Sequence, residues 1–341
     1  MKIGIHPDKG SFSERWIAYC EDKKIPYKIV DCYQSDIIDQ LSDCDALMWH
    51  FNHKSSKDSK FSVQLMNAVQ ASGKKVFPDY PTAWHFDDKL AQKYLFEAIG
   101  APVAPTWVFY SKQEALEWVA GSSFPKVFKM RNGSGSDNVR LVRSRKEAVR
   151  LVKKAFGSGF KQYTAWANLK ERIRKYRLGK TTRLKVIKGI IRFVYPTRYV
   201  RVTGREKGYI LFQEFIPGND SDIRIIVVGD KAFAIKRLVR DNDFRASGSG
   251  HVLYEKEHFD DETVKLSFQM AGKLKSQCAA FDFVFDGGNT YVLEISFGFV
   301  KEVYDPCVGY WEEDLTWHEG RFDPYGWMVE DLISSVGKEK N

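Results

Sequence analysis

The sequence predicts a mixed architecture: a parallel α/β sheet at the N-terminus, followed by an α+β half built from antiparallel hairpins with helices behind them. Three observations carry this. Short apolar runs alternate with helix-like stretches through residue 80, strand pairs joined by glycine turns follow, and a late hairpin carries two carboxylates on one side.

In the first region KIGI, YKIV, ALMW and KKVF are strand-like. Between them lie helical stretches through Trp16 and Ile17, near Ile37 and Ile38, and through Val63 and Leu65. Such alternation implies βαβ units and a parallel sheet. FDDKLAQKYLFEAIG then predicts a helix with Asp87 or Asp88 as N-cap, Leu90, Tyr94 and Leu95 on one face, and Gly100 as its stop. Pro102 and Pro105 force an extended entry into TWVFY.

The later region reads as hairpins. PKVFKM, a Gly/Ser loop and VRLV precede a helix at SRKEAVRLVKKAF. ILFQEFI is a strand, DIRIIVVGDKAFAIKRLV turns at Gly229-Asp230, a helix covers roughly 261 to 276, and FDFVFDGGNTYVLEIS closes the set.

Length, charge and cysteine usage exclude several classes. A chain of 341 residues buries ample core and suggests two or three domains. Five scattered cysteines without CxxC spacing suggest neither a disulfide framework nor a zinc site, and read as buried thiols of a reducing cytosol. The N-terminus lacks a signal-peptide core, and no apolar run approaches the roughly 20 residues that a membrane span needs. The net charge of +9 invites a nucleic-acid reading, but residues 161 to 210 hold 15 Lys/Arg against Glu171 and Glu206. That segment is +13 and the remainder, with 38 basic and 42 acidic residues, is −4. The basicity belongs to one segment and not to the body, which argues against nucleic acid as the main partner.

The hairpin FDFVFDGGNTYVLEIS is the most informative element. Alternation puts Asp282 and Val284 on one face and Phe281, Phe283 and Phe285 on the other, while Glu294 and Ser296 share a face opposite Leu293 and Ile295. A three-residue turn at Gly287-Gly288-Asn289 sets Asp282 across from Glu294. Two carboxylates so placed call for a shared proton or a hard cation, Mg²⁺ or Mn²⁺. With the register slipped by one, each acid would simply face solvent.

Three further elements are weak singly. Gly133-Ser134-Gly135-Ser136 is a hairpin tip whose N–H groups could approach phosphate, with Lys129 supplying charge from the strand before it; an ordinary polar loop reads the same way. In LFQEFIPGNDSDIR a strand end at Gln213 and Glu214 leads to Asp220, an arrangement suited to an adenine edge and a ribose. Arg224, Lys236, Arg237 and Arg245 supply cations. Lys236 and Arg237 are adjacent in one strand, so only one of them faces a site, and parity alone does not say which.

Taken in order, the DDK helix, FPKVFK with its glycine loop, QEFI, DIRIIVVGDKAFAIKR, DFRAS, FDFVF and VLEIS resemble the ATP-grasp superfamily. The resemblance is closest to its RimK-type carboxylate–amine ligases and covers roughly residues 85 to 300. It implies an ATP-grasp fold: an N-terminal domain at 1–85, a central lid subdomain at 86–208 including a basic insertion at 157–208, and a C-terminal catalytic subdomain at 209–341. It implies ATP and Mg²⁺ (or Mn²⁺), with Lys89, Lys129 and the Gly133, Ser134, Gly135 loop on phosphates and Gln213, Glu214, Phe215 and Ile216 on adenine. Asp220 would hold ribose, Asp282, Glu294 and Ser296 the metals, and Arg224, Lys236 and Arg245 the reacting groups, with Ser247 beside the nucleotide. Two departures stand out: Ser296 and Ser247 occupy positions where the family has asparagine, and a serine hydroxyl reaches less far than an amide carbonyl.

The implied reaction activates a carboxylate as an acyl phosphate and passes it to an amine. A phosphotransferase and a non-catalytic ATP-binding protein are the alternatives. The family does not explain the basic insertion, whose Leu184, Ile187, Ile190, Ile191, Phe193 and Tyr195 intersperse the cations. It reads either as a solvated helix packed on the body or as a contact for an anionic membrane surface or polyanionic acceptor, which would place a cytosolic protein at the inner face of the membrane.

Overall fold

The computed structural model describes the chain except residues 53–54, 56, 133–138, 162–168, 170–171, 174–175, 177–181, 195–203, 240–249 and 338–341. The alternation at the N-terminus forms as expected. Strands β1 (Ile3–Ile5), β2 (Tyr27–Ile29), β3 (Ala46–Met48) and β4 (Lys75–Phe77) make a parallel sheet in the order β2-β1-β3-β4, threaded by helices α1 (Ser13–Asp22), α2 (Ile37–Gln40) and α3 (Asp58–Ala71). A short helix α4 (Tyr80–Ala83) leads to α5 (Lys89–Ala98), whose N-cap is Asp88: its carboxylate accepts from the Leu90 and Ala91 N–H groups at 3.1 Å.

Helix α5 turns the expected face inward only in part: Leu95 packs against the core and Leu90 is half-buried. Lys89, Gln92 and Phe96 are buried, whereas Tyr94 is exposed. The spacing 89, 92, 96 is helical, but two of the three residues are polar, so hydrophobicity alone did not mark the face.

A second sheet, in the order β5-β10-β6-β7, stands where the lid subdomain is expected and is called the lid sheet; it consists of β5 (Thr106–Phe109), β6 (Lys126–Lys129), β7 (Val139–Val142) and β10 (Ile210–Glu214). Helices α6 (Lys112–Gly121) and α7 (Arg145–Ala155) cover it, with Phe128, Phe212, Val119 and Val152 in their shared core. Strand β10, which the boundary at 208/209 assigns to the catalytic part, lies in the middle of this sheet. A two-stranded ladder, β8 (Phe160–Lys161) with β9 (Arg205–Glu206), brings the two ends of the basic insertion together, and α8 (Arg183–Val194) lies between them in sequence.

The half expected to be catalytic is a seven-stranded antiparallel sheet. Its path runs β15 (Asn289–Ser296), β14 (Cys278–Asp286), β11 (Ser221–Val228), β12 (Lys231–Leu238), β16 (Gly309–Glu312), β17 (Trp317–Glu319), and β13 (Val252–Leu253) pairs with β12. Residues on alternate sides enter two different cores. Ile223, Ile225 and Val227 pack beneath α9 (Asp261–Leu274) with Phe96 of α5, Phe281, Phe283 and Trp311, which here closes the core. Ile226, Val228, Phe233 and Ile235 face the N-terminal sheet, together with α11 (Pro324–Gly337), which follows the short helix α10 (Lys301–Tyr304). The N-terminal sheet and one face of the seven-stranded sheet thus share a core. Among the described residues no helix is long and apolar enough to cross a membrane, and all five cysteines are free and buried.

Candidate functional site

The β14–β15 hairpin sets Asp282 opposite Glu294, as counted from the sequence, but by a different route. The turn has two residues, Gly287 and Gly288, both at positive φ, and Asp286 pairs with Asn289. That tight turn alone would shift the register by one. A β-bulge between Asp282 and Phe283 restores it by leaving Leu293 unpaired. The bulge also departs from strict alternation: Val292 and Ile295, three residues apart, both reach the helical core, while Glu294 stays on the other side. The Leu293 carbonyl, released from the ladder, accepts a hydrogen bond from Lys129 Nζ at 3.4 Å.

The neighbouring strand continues the row. Arg224 of β11 pairs with Asp282, so Arg224, Asp282 and Glu294 line up across three adjacent strands. Arg224 donates to both Asp282 oxygens, through Nε and, at 2.7 Å, through a terminal nitrogen. On the far side Asp222 pairs with Arg237 of β12, which donates two hydrogen bonds of 2.6 Å to the Asp222 carboxylate and also lies 2.9 Å from Asp282. Burial would raise the pKa of Asp282, but Arg224 and Arg237 outweigh it and hold the carboxyl well below the usual range. Burial pushes Asp222 up despite its partner.

This register decides between the two adjacent cations of β12. Arg237 shares the face of Arg224 and Asp282. Lys236, named as a candidate catalytic residue, pairs with Ile223 and points to the opposite side. The signal was in the sequence: counting outward from the Gly229-Asp230 turn, which forms as expected, puts Asp222 across from Arg237.

Two lysines reach this face from outside the sheet. Lys89, at the first turn of α5, lies 3.4 Å from Glu294 and 3.8 Å from Asp87. Burial alone would lower its pKa, but Glu294 and Asp87 keep it above the ordinary lysine value. Lys129 ends β6 and sits in the same neighbourhood, and burial pushes it down to about 8 although Glu294 pulls the other way. Arg131 ties the two supports together: its carbonyl accepts from the Lys89 N–H at 2.9 Å, and its guanidinium binds the cap carboxylate of Asp88 at 2.6 Å. Gln92, which the sequence reading missed, donates to the carbonyls of Ile295 at 2.8 Å and His85 at 3.1 Å, locking α5 to β15.

The hinge residues divide. Gln213 faces the same side of the lid sheet as Lys129, is buried, and donates to Thr106 Oγ1 at 3.0 Å. The side chain of Glu214 points to the other face and is held by Lys126 at 2.7 Å, while its N–H donates to the Pro105 carbonyl at 2.7 Å. Phe215 and Ile216 are half-buried in the link from β10 to β11. Asn219 pairs with Phe285 through two 2.9 Å hydrogen bonds, as a peptide group would, and fixes the link to the hairpin tip. Asp220 accepts from Ser221 Oγ at 2.8 Å.

Ser296 sits at the end of the row, but its hydroxyl is closed onto Gly298, donating to the carbonyl at 2.9 Å and accepting from the N–H at 3.1 Å. Among the described residues no cluster of three or more His, Cys, Asp and Glu side chains is arranged to hold a metal. Gly133, Ser134, Gly135, Arg245 and Ser247 lie outside the described residues.

A model of the RimK-like ATP-grasp domain matches residues 196–301. No curated protein matches the chain significantly. Solved structures match it over nearly its whole length. A D-alanine–D-alanine ligase from Bacillus anthracis, complexed with ATP, aligns with a TM-score of 0.57 at 12% identity, covering 99% of each chain. A RimK domain ATP-grasp protein from Sphaerobacter thermophilus aligns with a TM-score of 0.57 at 14% identity, covering 97% of this chain and 99% of that one. A D-cycloserine synthetase aligns with a TM-score of 0.60 at 13% identity, covering 98% and 100%.

Proposed function

Because the chain carries the ATP-grasp fold and a RimK-like ATP-grasp domain, we propose that it is an ATP-dependent ligase that couples a small-molecule, sugar or peptide carboxylate to an amine in the cytosol. The observation that carries the reading is the convergence of Lys89 and Lys129, from two separate elements, on the row Arg224–Asp282–Glu294.

Lys129 suits an anion best. It is a buried cation whose hydrogen bond goes to a carbonyl, and a phosphate arriving beside it would offset its burial and hold it charged. Lys89 would add a second positive centre. Gln213 and the backbone of 214–216 would line the adenine, and Asp220 would meet the ribose hydroxyls. Oxygen-only donors fit Mg²⁺, which takes one or two carboxylates together with phosphate oxygens. Glu294, one-third exposed and bonded to Lys89 through a single oxygen, would hold it. Asp282 has both oxygens on arginines and would serve mainly to aim them. When bound, the metal would neutralise charge between the transferring phosphoryl and its leaving group.

In the reaction a carboxylate oxygen attacks the γ-phosphorus as the bond to ADP breaks. An amine then attacks the acyl carbon, gives up a proton, and phosphate leaves. Arg224, a fixed donor fork beside the site, would stabilise the negative charge that gathers on oxygen in both steps.

Hydroxylamine tests the reading, since it traps an acyl phosphate as a hydroxamate. A carboxylate panel with ATP, Mg²⁺ and hydroxylamine should yield ADP and hydroxamate together. ADP with a stable phosphorylated product would point instead to a kinase. One observation favours a second reading, a nucleotide-binding protein that does not ligate: Ser296 is tied to Gly298 and Asp282 to two arginines. That reading predicts nucleotide binding by calorimetry with no ADP under any condition.

A further inference from the structure

Helix α8 departs from the usual pattern of a surface helix: its described aliphatic positions 184, 187 and 190 are exposed along with the cations Arg183 and Lys188. On a helical wheel Leu184, Val186, Ile187 and Ile190 lie in one half, with Arg183 between Ile187 and Ile190, and Lys188 lies in the other. An ordinary amphipathic helix would turn the first half to the core. Here Leu184 is 69%, Ile187 51% and Ile190 54% exposed, the largest uncovered aliphatic side chains along one stripe of the described residues apart from isolated positions.

The setting adds charge of one sign. The helix holds four Lys/Arg and no acid, and the whole segment 161 to 210 is +13 against −4 for the remainder. The β8–β9 ladder closes the segment at its root, and Phe160 of that ladder is buried against Phe128 in the lid core. The segment therefore leaves and re-enters the body at the lid sheet. Its first turn is pinned locally, where Arg183 Nε donates to Tyr176 Oη at 2.6 Å.

We propose that α8 is an interfacial helix that docks the protein on an anionic lipid surface, with Leu184, Ile187 and Ile190 entering at headgroup depth and the surrounding cations meeting lipid phosphates. Both halves of the pattern are needed. Apolar exposure alone would fit many partners, and positive charge alone would fit any polyanion. A cationic helix with an exposed aliphatic stripe and no acidic residue matches the interface of a bilayer that carries negative headgroups. Nucleic acid would engage the cations but leave the exposed aliphatic stripe without a role.

Flotation of the full chain with phosphatidylcholine vesicles containing about one third phosphatidylglycerol tests this, against vesicles of phosphatidylcholine alone. The protein should float with the first and not the second, and raising the salt from about 0.1 M to about 0.5 M should lower the bound fraction about tenfold. The triple substitution Leu184→Asn, Ile187→Asn, Ile190→Asn should lower flotation about tenfold or more while leaving nucleotide binding unchanged. An Ile187→Cys variant labelled with an environment-sensitive dye gives a second reading, since the native thiols are all buried. Its emission should shift to the blue on anionic vesicles. Absence of flotation, equal flotation of the triple variant, an unshifted dye, or a salt-sensitive shift of duplex DNA without vesicle binding would each overturn the proposal.

Discussion

The two ends of the buried charged row are built differently. At the β11–β12 end every charge has a charged partner: Arg224 and Arg237 clamp Asp282, and Arg237 also clamps Asp222 at 2.6 Å. At the β15 end the contacts are longer, with Lys89 at 3.4 Å from Glu294 and Lys129 on a carbonyl at 3.4 Å. Charges that clamp one another at short range rigidify a fold, and charges held by longer contacts leave room for a ligand. The first end reads chiefly as scaffold, which fixes Arg224 in place, and the second as the nucleotide and metal side of the site.

The largest effect should come from breaking the closed end. Asp282→Ala leaves Arg224 and Arg237 buried against each other, and removing one member of such a cluster costs about 3–5 kcal/mol. Urea unfolding should show that loss, and a loss below about 1 kcal/mol would mean that the row is wetter than drawn.

Lys129 gives the opposite sign. A lysine whose folded pKa lies below its unfolded value carries a penalty while both states hold the proton. That penalty is relieved as pH rises from about 8, where the folded chain lets go, through 10.5, where the unfolded chain does. Lys129→Met should therefore stabilise the ligand-free protein at neutral pH, by up to about 3 kcal/mol from the size of the shift, while abolishing nucleotide binding. In the parent protein nucleotide affinity should fall as pH rises above about 8, a fall that Lys129→Arg should remove. Unchanged binding in Lys129→Met would move the site elsewhere.

Glu294→Gln should change stability by less than about 1 kcal/mol, because its ion pair is long and one-third exposed on the acid side. Its effect should fall on the metal: isothermal titration should lose most of its Mg²⁺ dependence. A full Mg²⁺ response in that variant would return the metal to Asp282.

How far the sequence spoke for this site varies with the residue. Counting on alternation found Asp282 across from Glu294, yet two departures cancelled to give that result, a shorter turn and a bulge at Leu293. Bulges leave no reliable mark in a sequence, since what they change is which residue goes unpaired. The parallel sheet and its helices were legible because period and composition agree there. The inward face of α5 was not, because Lys89 and Gln92 are buried for their partners in other elements and not for their hydrophobicity. Glu214 failed for a third reason: its partner Lys126 lies 88 residues away, on the far face of the lid sheet.

Lys236 and Arg237 make the sharpest contrast with the smallest expected effect. They are neighbours in one strand, both cationic, and a pleat turns them to opposite faces. Lys236→Ala should leave nucleotide affinity and turnover unchanged and shift stability by no more than about 0.5 kcal/mol, as for other surface changes. Arg237→Ala strips the partner from Asp222 and one of two from Asp282, so its cost should approach that of Asp282→Ala. The pair of variants reads the register directly. Were β12 slipped by one residue against β11, the two effects would exchange, while Asp222 and Asp282, on β11 and β14, would keep the face they share.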